Sequence, residues 1–337
     1  MRFGPVPLTE ALGAVLAHSV QLPKGRLRKG RVLTADDLDT LAALGRGRVT
    51  VARLDPGDIE ENSAARRLAQ ALVPDPDTVG LDLQEAFTGR VNIRATRPGV
   101  VGIDVAAVEA LNSVDPMITL ATVPQWQRAW PGMMVGTVKI IAYGVAETAL
   151  GRAEAAARGA LCVRPVALPT AGLIVTEVPG DPVSPEDKGI AAVAGRLDAL
   201  GVALEAVQIV AHDTESITAA LASLPGAMKL ILTASATSDI HDVAPSAVVA
   251  AGGQITRFGM PVDPGNLLFL GQIGAAPVIG LPGCARSPAL NGADWVLERV
   301  ACGVPVSAAD IAAMGVGGLL KEIPTRPQPR AGRKRKG

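Results

Sequence analysis

The stretch Met260–Pro288, MPVDPGNLLFLGQIGAAPVIGLPGCARSP, contains two Pro-Gly turns that each stand beside a short apolar run. The first turn is Pro264-Gly265, and the second, Pro282-Gly283, closes the run Val278–Leu281. This pattern predicts two turns that lie close together at the ends of β-strands. Because glycine has no Cβ atom, a ligand can approach the backbone N–H groups of such turns closely. The stretch therefore predicts a site for an anionic, phosphate-bearing molecule.

The region around this stretch alternates strand and helix patterns. Lys229–Thr233 is a continuous apolar run of the kind found in strands covered on both faces. Gly172–Thr176 and Leu204–Val210 predict two more strands, and Gly189–Leu200 predicts a helix. Repeated right-handed crossovers between such strands build a three-layer α/β/α domain with a mostly parallel sheet, in which ligands bind beyond the carboxyl ends of the strands. We therefore expect an α/β fold over residues 165–320.

Three other regions are distinguishable in the sequence. Residues 1–75 predict a mixed α/β region, and residues 85–160 predict a β-rich middle region with no function that the sequence identifies. Residues 324–337 are rich in proline and end in Arg333–Lys336, which predicts a disordered basic tail, with a nucleic-acid contact as the alternative. The α/β domain is thus preceded by a mixed, partly β-rich N-terminal region.

The composition excludes several classes of protein. Among 337 residues, 48% are hydrophobic but only 2% are aromatic, so stacking platforms for single-stranded nucleic acid are scarce. The formal net charge is zero, which provides no field to attract DNA or acidic membranes. The three cysteines, Cys162, Cys284 and Cys302, lack Cys-x-x-Cys spacing and fit a reducing compartment. With neither a signal peptide nor a spanning apolar run, we expect a cytoplasmic protein with no nucleic-acid or membrane partner.

Polar loops follow the predicted strands at three places. They are Thr176–Gly189, Thr233–Asp242 and the double Pro-Gly stretch itself. A strand that stops in Thr-x-Ser-x-Thr-Ser and restarts as a helix offers hydroxyl and N–H groups to an anion. Asp239 or Asp242 would then contact a polar ring edge or a divalent ion carried by a phosphate. Equally, Asp242 stands just before a helix and would serve as its N-cap.

Three further side chains near these loops have alternative roles. His241 is either a general base beside Asp242 or a surface histidine. Cys284 is either a reactive thiol in a Gly-rich loop or a small buried residue. Arg286 either binds a phosphate or lies on the surface. No spacing of histidines and cysteines indicates zinc, so no bound metal is predicted.

In these loops the sequence resembles the molybdopterin-binding proteins of molybdenum cofactor biosynthesis, the MoaB/Mog and MoeA-like proteins. Thr233–Pro245 lies where that family has a Gly-Gly-Thr-Gly loop followed by Arg-Asp-Val-x-Pro, and Asp242, Val243 and Pro245 match the latter part. Pro264-Gly265 and Gly280–Gly283 match the Pro-Gly and Gly-Leu-Pro-Gly turns of MoeA-like proteins. The resemblance covers residues 165–303.

Two other segments extend the resemblance. Asp187 and Gly189 are similar to the Glu-Asp-x-Ser-Gly region of the family, and Val6–Ala17 is similar to the opening helix of MoeA-like proteins. Through Gly283–Gly292, the chain most resembles the molybdopterin-binding module that precedes a cytidylyltransferase domain in some bacterial fusion proteins. The resemblance implies molybdopterin, or the molybdenum cofactor, as ligand. It also implies a cytidylyltransferase or a molybdoenzyme maturation protein as partner, and a homo-oligomer, either a dimer or a trimer.

The departures from the family pattern concern catalysis. Ala234–Thr237 replaces the Gly-Gly-Thr-Gly loop, which narrows the approach of a phosphate to the backbone. Asp263 and Asn266 replace the lysines that flank the Pro-Gly turn in MoeA-like proteins. Loss of these cations weakens the case for molybdate insertion or adenylyl transfer.

A binding site and three functions are therefore predicted. We favour a protein that binds molybdopterin for a maturation step. The alternatives are a molybdopterin nucleotidyl- or molybdo-transferase, which would need Mg²⁺ and Asp242 as a catalytic residue, and a phosphoanhydride hydrolase on the same fold. The candidate cofactor-binding residues are Asp187, Thr233, Ser235, Thr237, Ser238, Asp239, Asp242, Pro264, Gly265, Asn266, Pro282, Gly283, Cys284, Arg286 and Ser287.

Overall fold

The computed structural model describes residues 1–320, so the predicted basic tail lies outside the described residues. The chain divides into two compact units, of which the first comprises Met1–Arg97 and Val101–Val163, and the second comprises Pro98–Val100 and the chain from Arg164 onward. The ranges 1–75 and 85–160 thus fall in the first unit, apart from residues 98–100, and residues 165–320 fall in the second. None of the helices in the described part combines the length and apolar composition that crossing a bilayer requires.

Small antiparallel sheets and short helices build the first unit. In one three-stranded sheet, Arg48–Arg53 lies between Arg2–Pro7 and Val15–Leu16. A four-stranded sheet has the order Ile118–Thr122, Met134–Ile140, Arg90–Ala95, Leu81–Leu83. Up to Arg164 the strands are β1 (Arg2–Pro7), β2 (Val15–Leu16), β3 (Val20–Gln21), β4 (Arg26–Leu27), β5 (Arg48–Arg53), β6 (Asp58–Glu60), β7 (Leu81–Leu83), β8 (Arg90–Ala95), β9 (Gly99–Ile103), β10 (Ile118–Thr122), β11 (Arg128–Ala129), β12 (Met134–Ile140), β13 (Gly144–Ala146) and β14 (Leu161–Arg164). The helices are α1 (Ala35–Ala43), α2 (Glu61–Leu72), α3 (Pro76–Val79), α4 (Val105–Asn112) and α5 (Glu147–Ala156).

One six-stranded sheet organises the second unit. Its strands are β15 (Thr170–Glu177), β16 (Ala203–Ala211), β17 (Met228–Leu232), β18 (Gln254–Phe258), β19 (Phe269–Ile273) and β20 (Ala276–Leu281). Its helices are α6 (Lys188–Asp198), α7 (Thr214–Ser223), α8 (Val243–Ala250), α9 (Gly292–Ala301) and α10 (Ala308–Ala313). The strand order is β16-β15-β17-β20-β19-β18, with parallel pairing from β16 to β20 and antiparallel pairing of β19 with both of its neighbours. The predicted α/β class is confirmed, and the sheet is mixed.

Alternation along the central strand β15 explains its apolar sequence. Leu173 and Val175 pack in a cluster with side chains of α6 and α9. Ile174, which points the other way, packs in a separate cluster with side chains of α7 and α8. All three side chains are fully buried. A strand with both faces covered must be apolar at every position, which explains the continuous run of apolar residues in the sequence of β15.

The strand ends set where the loops meet. Glu177 at the end of β15 pairs with Ala211 at the end of β16, and Leu232 at the end of β17 pairs with Leu281 at the end of β20. The antiparallel strand β19 starts at this carboxyl edge, and β18 ends there. The segments that lie at this edge are residues 178–187, 212–213, 233–242, 259–268 and 282–291.

We predict that Gly280→Ala destabilises the second unit by about 1–3 kcal/mol, because an added methyl group overpacks a filled core. A Cβ atom at Gly280 would overlap the ring of Phe269, which is 1% exposed. The free energy of unfolding in urea measures the effect. Gly195→Ala in α6 is the matched control, since open space surrounds that position and alanine favours a helix by up to about 1 kcal/mol. Equal stability of the two variants would contradict this packing.

Candidate functional site

Asp187 begins the site at the start of α6. As the N-cap residue, it accepts hydrogen bonds on Oδ1 from the backbone N–H groups of Gly189 at 2.8 Å and Ile190 at 3.2 Å. The same oxygen lies 3.1 Å from Nη1 of Arg286. Both side chains are close to 30% exposed, at 29% for Asp187 and 30% for Arg286. The pair therefore links the loop after β15 to the loop after β20 while remaining accessible from outside.

Arg286 extends this link to a third loop. Its Nη2 donates to the carbonyl oxygen of Thr233 at 3.2 Å. Thr233 is the first residue after β17, so one guanidinium group holds together the loops that follow β15, β17 and β20. Three of the predicted site residues, Asp187, Thr233 and Arg286, are thus in direct contact.

Gly189 lies against this ion pair. A Cβ atom at this position would lie 2.7 Å from Oδ1 of Asp187 and 2.9 Å from Nη1 of Arg286. Any side chain here would push the two charged groups apart. The close approach accounts for a glycine two residues after the capping aspartate.

A second set of contacts continues across the sheet edge from the same peptide group. The N–H of Ala234, which shares a peptide with the Thr233 carbonyl, donates to Oγ1 of Thr176 at 2.7 Å. Oγ1 of Thr176 also lies 2.9 Å from Nδ1 of His212. Thr176 is fully buried, and His212 follows β16 directly. Neither residue was among the predicted site residues.

The loop after β17 contains backbone N–H donors that have no partner among the described residues. Within residues 1–320, no hydrogen bond uses the N–H groups of Ser235, Ala236 and Thr237. Ser235 and Ala236 are exposed, whereas Thr237 is buried and its Oγ1 lies 3.5 Å from Oγ1 of Thr233. Oγ1 of Thr233 donates to the carbonyl of Ser235 at 2.6 Å, which folds the loop back on its own start. The arrangement leaves three consecutive N–H groups in the loop whose first carbonyl, that of Thr233, accepts from Arg286.

Asp242 caps α8, as the N-cap interpretation predicts. Its carboxylate accepts from the N–H of Ser238 at 2.9 Å and from that of Val243 at 2.7 Å. The bond from Ser238, followed by that from Val243, holds the pKa of Asp242 below its ordinary value. A carboxylate kept ionised by two donors is a weak base. Asp239 likewise accepts from the N–H of His241, at 2.8 Å.

The first Pro-Gly turn is buried. Pro264 and Gly265 pack against the start of α9, where the carbonyl of Pro264 accepts from the N–H of Gly292 at 2.8 Å. Asn266 is exposed, and its Nδ2 lies 3.4 Å from the carbonyl of Met260. The loop lies at the carboxyl edge, but it presents only Asn266 of these three predicted residues to the outside.

The second Pro-Gly turn opens a 3₁₀ helix over Gly283–Arg286. Pro282 is buried, Cys284 is partly buried, and Gly283 is exposed with open space around its Cα. Ser287 is also exposed and ends this helix. The turn therefore places Gly283 and Arg286 on the same short helix at the sheet edge.

A buried arginine supports this loop, and sequence reasoning missed it. Arg196, which is 8% exposed, donates to the carbonyls of Ala285, Ser287 and Ala289, at 2.8, 2.7 and 3.1 Å. Its Nε also bonds to Asp294 in α9. The signal was available, because Arg196 falls on the apolar face that α6 forms with Ile190, Val193 and Leu197. A charge on such a face requires buried acceptors.

The described residues do not fit a divalent metal ion. Residues 1–320 contain no group of three or more His, Cys, Asp or Glu side chains that would hold one. Asp187 and Asp242 already accept backbone N–H groups, and Asp187 also pairs with Arg286. We therefore assign no step to Mg²⁺.

Comparisons with known proteins give one partial match and several weak similarities. A domain of unknown function, DUF8806, matches residues 5–53. No curated protein matches the chain. One similar solved structure is a molybdopterin biosynthesis MoeA protein from Pyrococcus horikosii, with 16% identity and a TM-score of 0.31, covering 90% of this chain and 76% of that chain.

Two other solved structures are similar. One is a molybdenum cofactor biosynthesis protein from Pyrococcus furiosus, with 13% identity and a TM-score of 0.23, covering 93% of this chain and 65% of that chain. The other is a molybdenum cofactor biosynthesis protein B, with 20% identity and a TM-score of 0.26, covering 39% of this chain and 86% of that chain. At TM-scores this low, the similarities by themselves assign neither a fold nor a ligand.

We predict that Arg196→Met destabilises the second unit by about 3–5 kcal/mol, because it leaves the buried carboxylate of Asp294 without its cation. Asp294 is 7% exposed. Urea denaturation measures the loss. Lys188→Met, which removes an exposed charge from the same helix, is the control and should change stability by less than about 0.5 kcal/mol. Equal effects of the two substitutions would show that Arg196 does not hold the loop.

Proposed function

We propose that the second unit binds molybdopterin, or the molybdenum cofactor, during its biosynthesis or maturation, with the phosphate of the ligand at the carboxyl edge of the sheet. The observation that carries the proposal is the contact of Arg286 with both Asp187 and Thr233. It brings together three loops that resemble the ligand-binding loops of the MoaB/Mog and MoeA-like proteins.

A phosphate would find complementary donors here. Arginine carries five N–H donors, and the two protein contacts of Arg286 leave others for an anion. Ser235, Ala236 and Thr237 supply backbone N–H groups that the described residues do not use. Such a set favours a doubly charged, tetrahedral group over a carboxylate, because it offers donors from more than one direction.

The same geometry favours binding over catalysis. Asp242, the candidate catalytic residue, acts as a helix cap with a lowered pKa, so it is poorly suited to take a proton. Oδ1 of Asp187 accepts from an arginine and from two N–H groups. Asp263 and Asn266 stand where the resembling family has lysines. A protein that holds the cofactor and presents it to another enzyme needs none of these groups to react.

The wider proposal follows the resemblance. The second unit would be a three-layer α/β/α domain over residues 165–320, acting in the cytoplasm as a homo-oligomer. Its partner would be a cytidylyltransferase or a molybdoenzyme maturation protein. Within this proposal, residues 1–75 and 85–160 form the mixed and β-rich regions that precede the binding domain.

We expect the protein to carry a pterin when it is purified from a strain that accumulates the cofactor. Oxidation of the bound material should release a fluorescent pterin in an amount that scales with protein. A preparation from a strain unable to make molybdopterin provides the background. Protein that carries no pterin, and that also fails to bind one in titration, would exclude this function.

Arg286→Ala should weaken molybdopterin binding about tenfold or more, because a hydrogen bond to a charged group contributes about 1.5–3 kcal/mol. Arg286→Lys should retain part of the affinity, since lysine supplies the charge without the two-armed geometry. Arg164→Ala removes an exposed arginine outside the carboxyl-edge loops and serves as the control. Fluorescence titration measures all three, with unfolding curves recorded alongside. Equal affinity of Arg286→Ala and wild type would remove Arg286 from the site.

A further inference from the structure

The imidazole of His212 occupies an unusual position at the carboxyl edge. It is half-buried, and its backbone N–H donates to the carbonyl of Glu177 at 2.9 Å, which fixes the residue beside the end of β15. Its Nδ1 contacts Oγ1 of Thr176 at 2.9 Å. Within residues 1–320, its Nε2 makes no hydrogen bond. One ring nitrogen is therefore held by the protein while the other is available.

The contact of Thr176 decides which nitrogen carries the proton. The hydroxyl of Thr176 accepts the N–H of Ala234 at 2.7 Å, and a backbone N–H can only donate. Thr176 is 0% exposed, so its own hydroxyl proton needs an acceptor inside the protein. Among the described residues, Nδ1 of His212 is the other partner of this hydroxyl. Thr176 therefore donates to Nδ1, and a neutral His212 carries its proton on Nε2.

The surroundings place this Nε2–H donor in the candidate site. His212 directly precedes Asp213, the N-cap of α7. Through Thr176 it is linked to the N–H of Ala234, in the loop that leads to Asp242, the N-cap of α8. Asp187 and Arg286 lie instead at the start of α6 and at the loop before α9. The Thr233–Ala234 peptide lies between the two sets of residues.

We infer that His212 forms a second part of the binding site, in which its Nε2–H donates to an uncharged acceptor of the ligand, a ring carbonyl or a ring nitrogen. This inference rests on the proposed function. It adds that the ligand has two ends, an anionic group held near Arg286 and an acceptor-bearing ring held near His212. A pterin phosphate ester has this chemistry, whereas inorganic phosphate has only the anionic group.

The tautomer can be measured without any ligand. Long-range proton–nitrogen NMR spectra of the full-length protein, recorded in mildly alkaline buffer, should show His212 with its proton on Nε2. The exposed His241, whose ring makes no hydrogen bond within residues 1–320, should show the mixture of tautomers of a solvated histidine and serves as the internal reference. A proton on Nδ1 of His212 would overturn the inference.

Titration with pterin and with inorganic phosphate then tests the binding of each end of the ligand separately. Unsubstituted pterin should shift the Nε2 signal of His212, and inorganic phosphate should leave it unchanged. His212→Asn, whose amide oxygen can still accept from Thr176, should weaken pterin binding about tenfold and leave phosphate binding unchanged. His212→Gln, which places an amide N–H near the Nε2 position, should recover part of the pterin affinity, and His241→Asn should have no effect.

The outcomes distinguish the inference from the proposed function. If wild-type protein binds pterin but the His212 signal and the affinity of His212→Asn are unchanged, the inference fails and the proposed function stands. If wild-type protein binds phosphate but no pterin, the proposed function fails, and the inference, which rests on it, fails with it. If a variant does not fold, the NMR measurements on wild-type protein, which need no substitution, still test the inference.

Discussion

One peptide group, between Thr233 and Ala234, joins the two halves of the candidate site. Its carbonyl accepts from Arg286, and its N–H donates to Thr176. The contacts continue to Asp187 on one side and to His212 on the other, so a single hydrogen-bonded chain runs along the carboxyl edge of the sheet. Because hydrogen bonds in such a chain polarise one another, each contact strengthens the next. This peptide thus links Arg286, directly, and His212, through Thr176.

The location of that peptide follows from the fold. The parallel part of the sheet directs the carboxyl ends of β15, β17 and β20 to one edge, and helices must begin there to return the chain. Each of these helices begins with unpaired N–H groups, and the N-cap residues Asp187, Asp242 and Asn291 accept from them in α6, α8 and α9. The buried side chain of Arg196 then fixes the carbonyls of the loop before α9. The loops at this edge thus contribute to stability through Arg196 and to the proposed binding site through Arg286.

Much of this was predictable from the sequence, and the reasons for the rest are physical. The apolar runs at Gly172–Thr176 and Lys229–Thr233 predicted β15 and β17 to within two residues at either end, because strands covered on both faces must be apolar throughout. Strand β18 and its antiparallel pairing with β19 were not predicted, since the polar residues of β18 interrupt any apolar run. Asp242 had two interpretations that local sequence could not separate. Arg196 and His212 were missed because their partners, Asp294 and Thr176, are distant in the chain.

The most direct test of the account is the response of individual backbone amides to inorganic phosphate, followed by proton–nitrogen correlation NMR of the full-length protein. The account predicts that the amides of Ser235, Ala236 and Thr237 shift in a saturable way in wild-type protein and lose most of this response in Arg286→Ala. Saturable shifts confined to other segments of the chain, or shifts of these three amides that persist unchanged without Arg286, would contradict it.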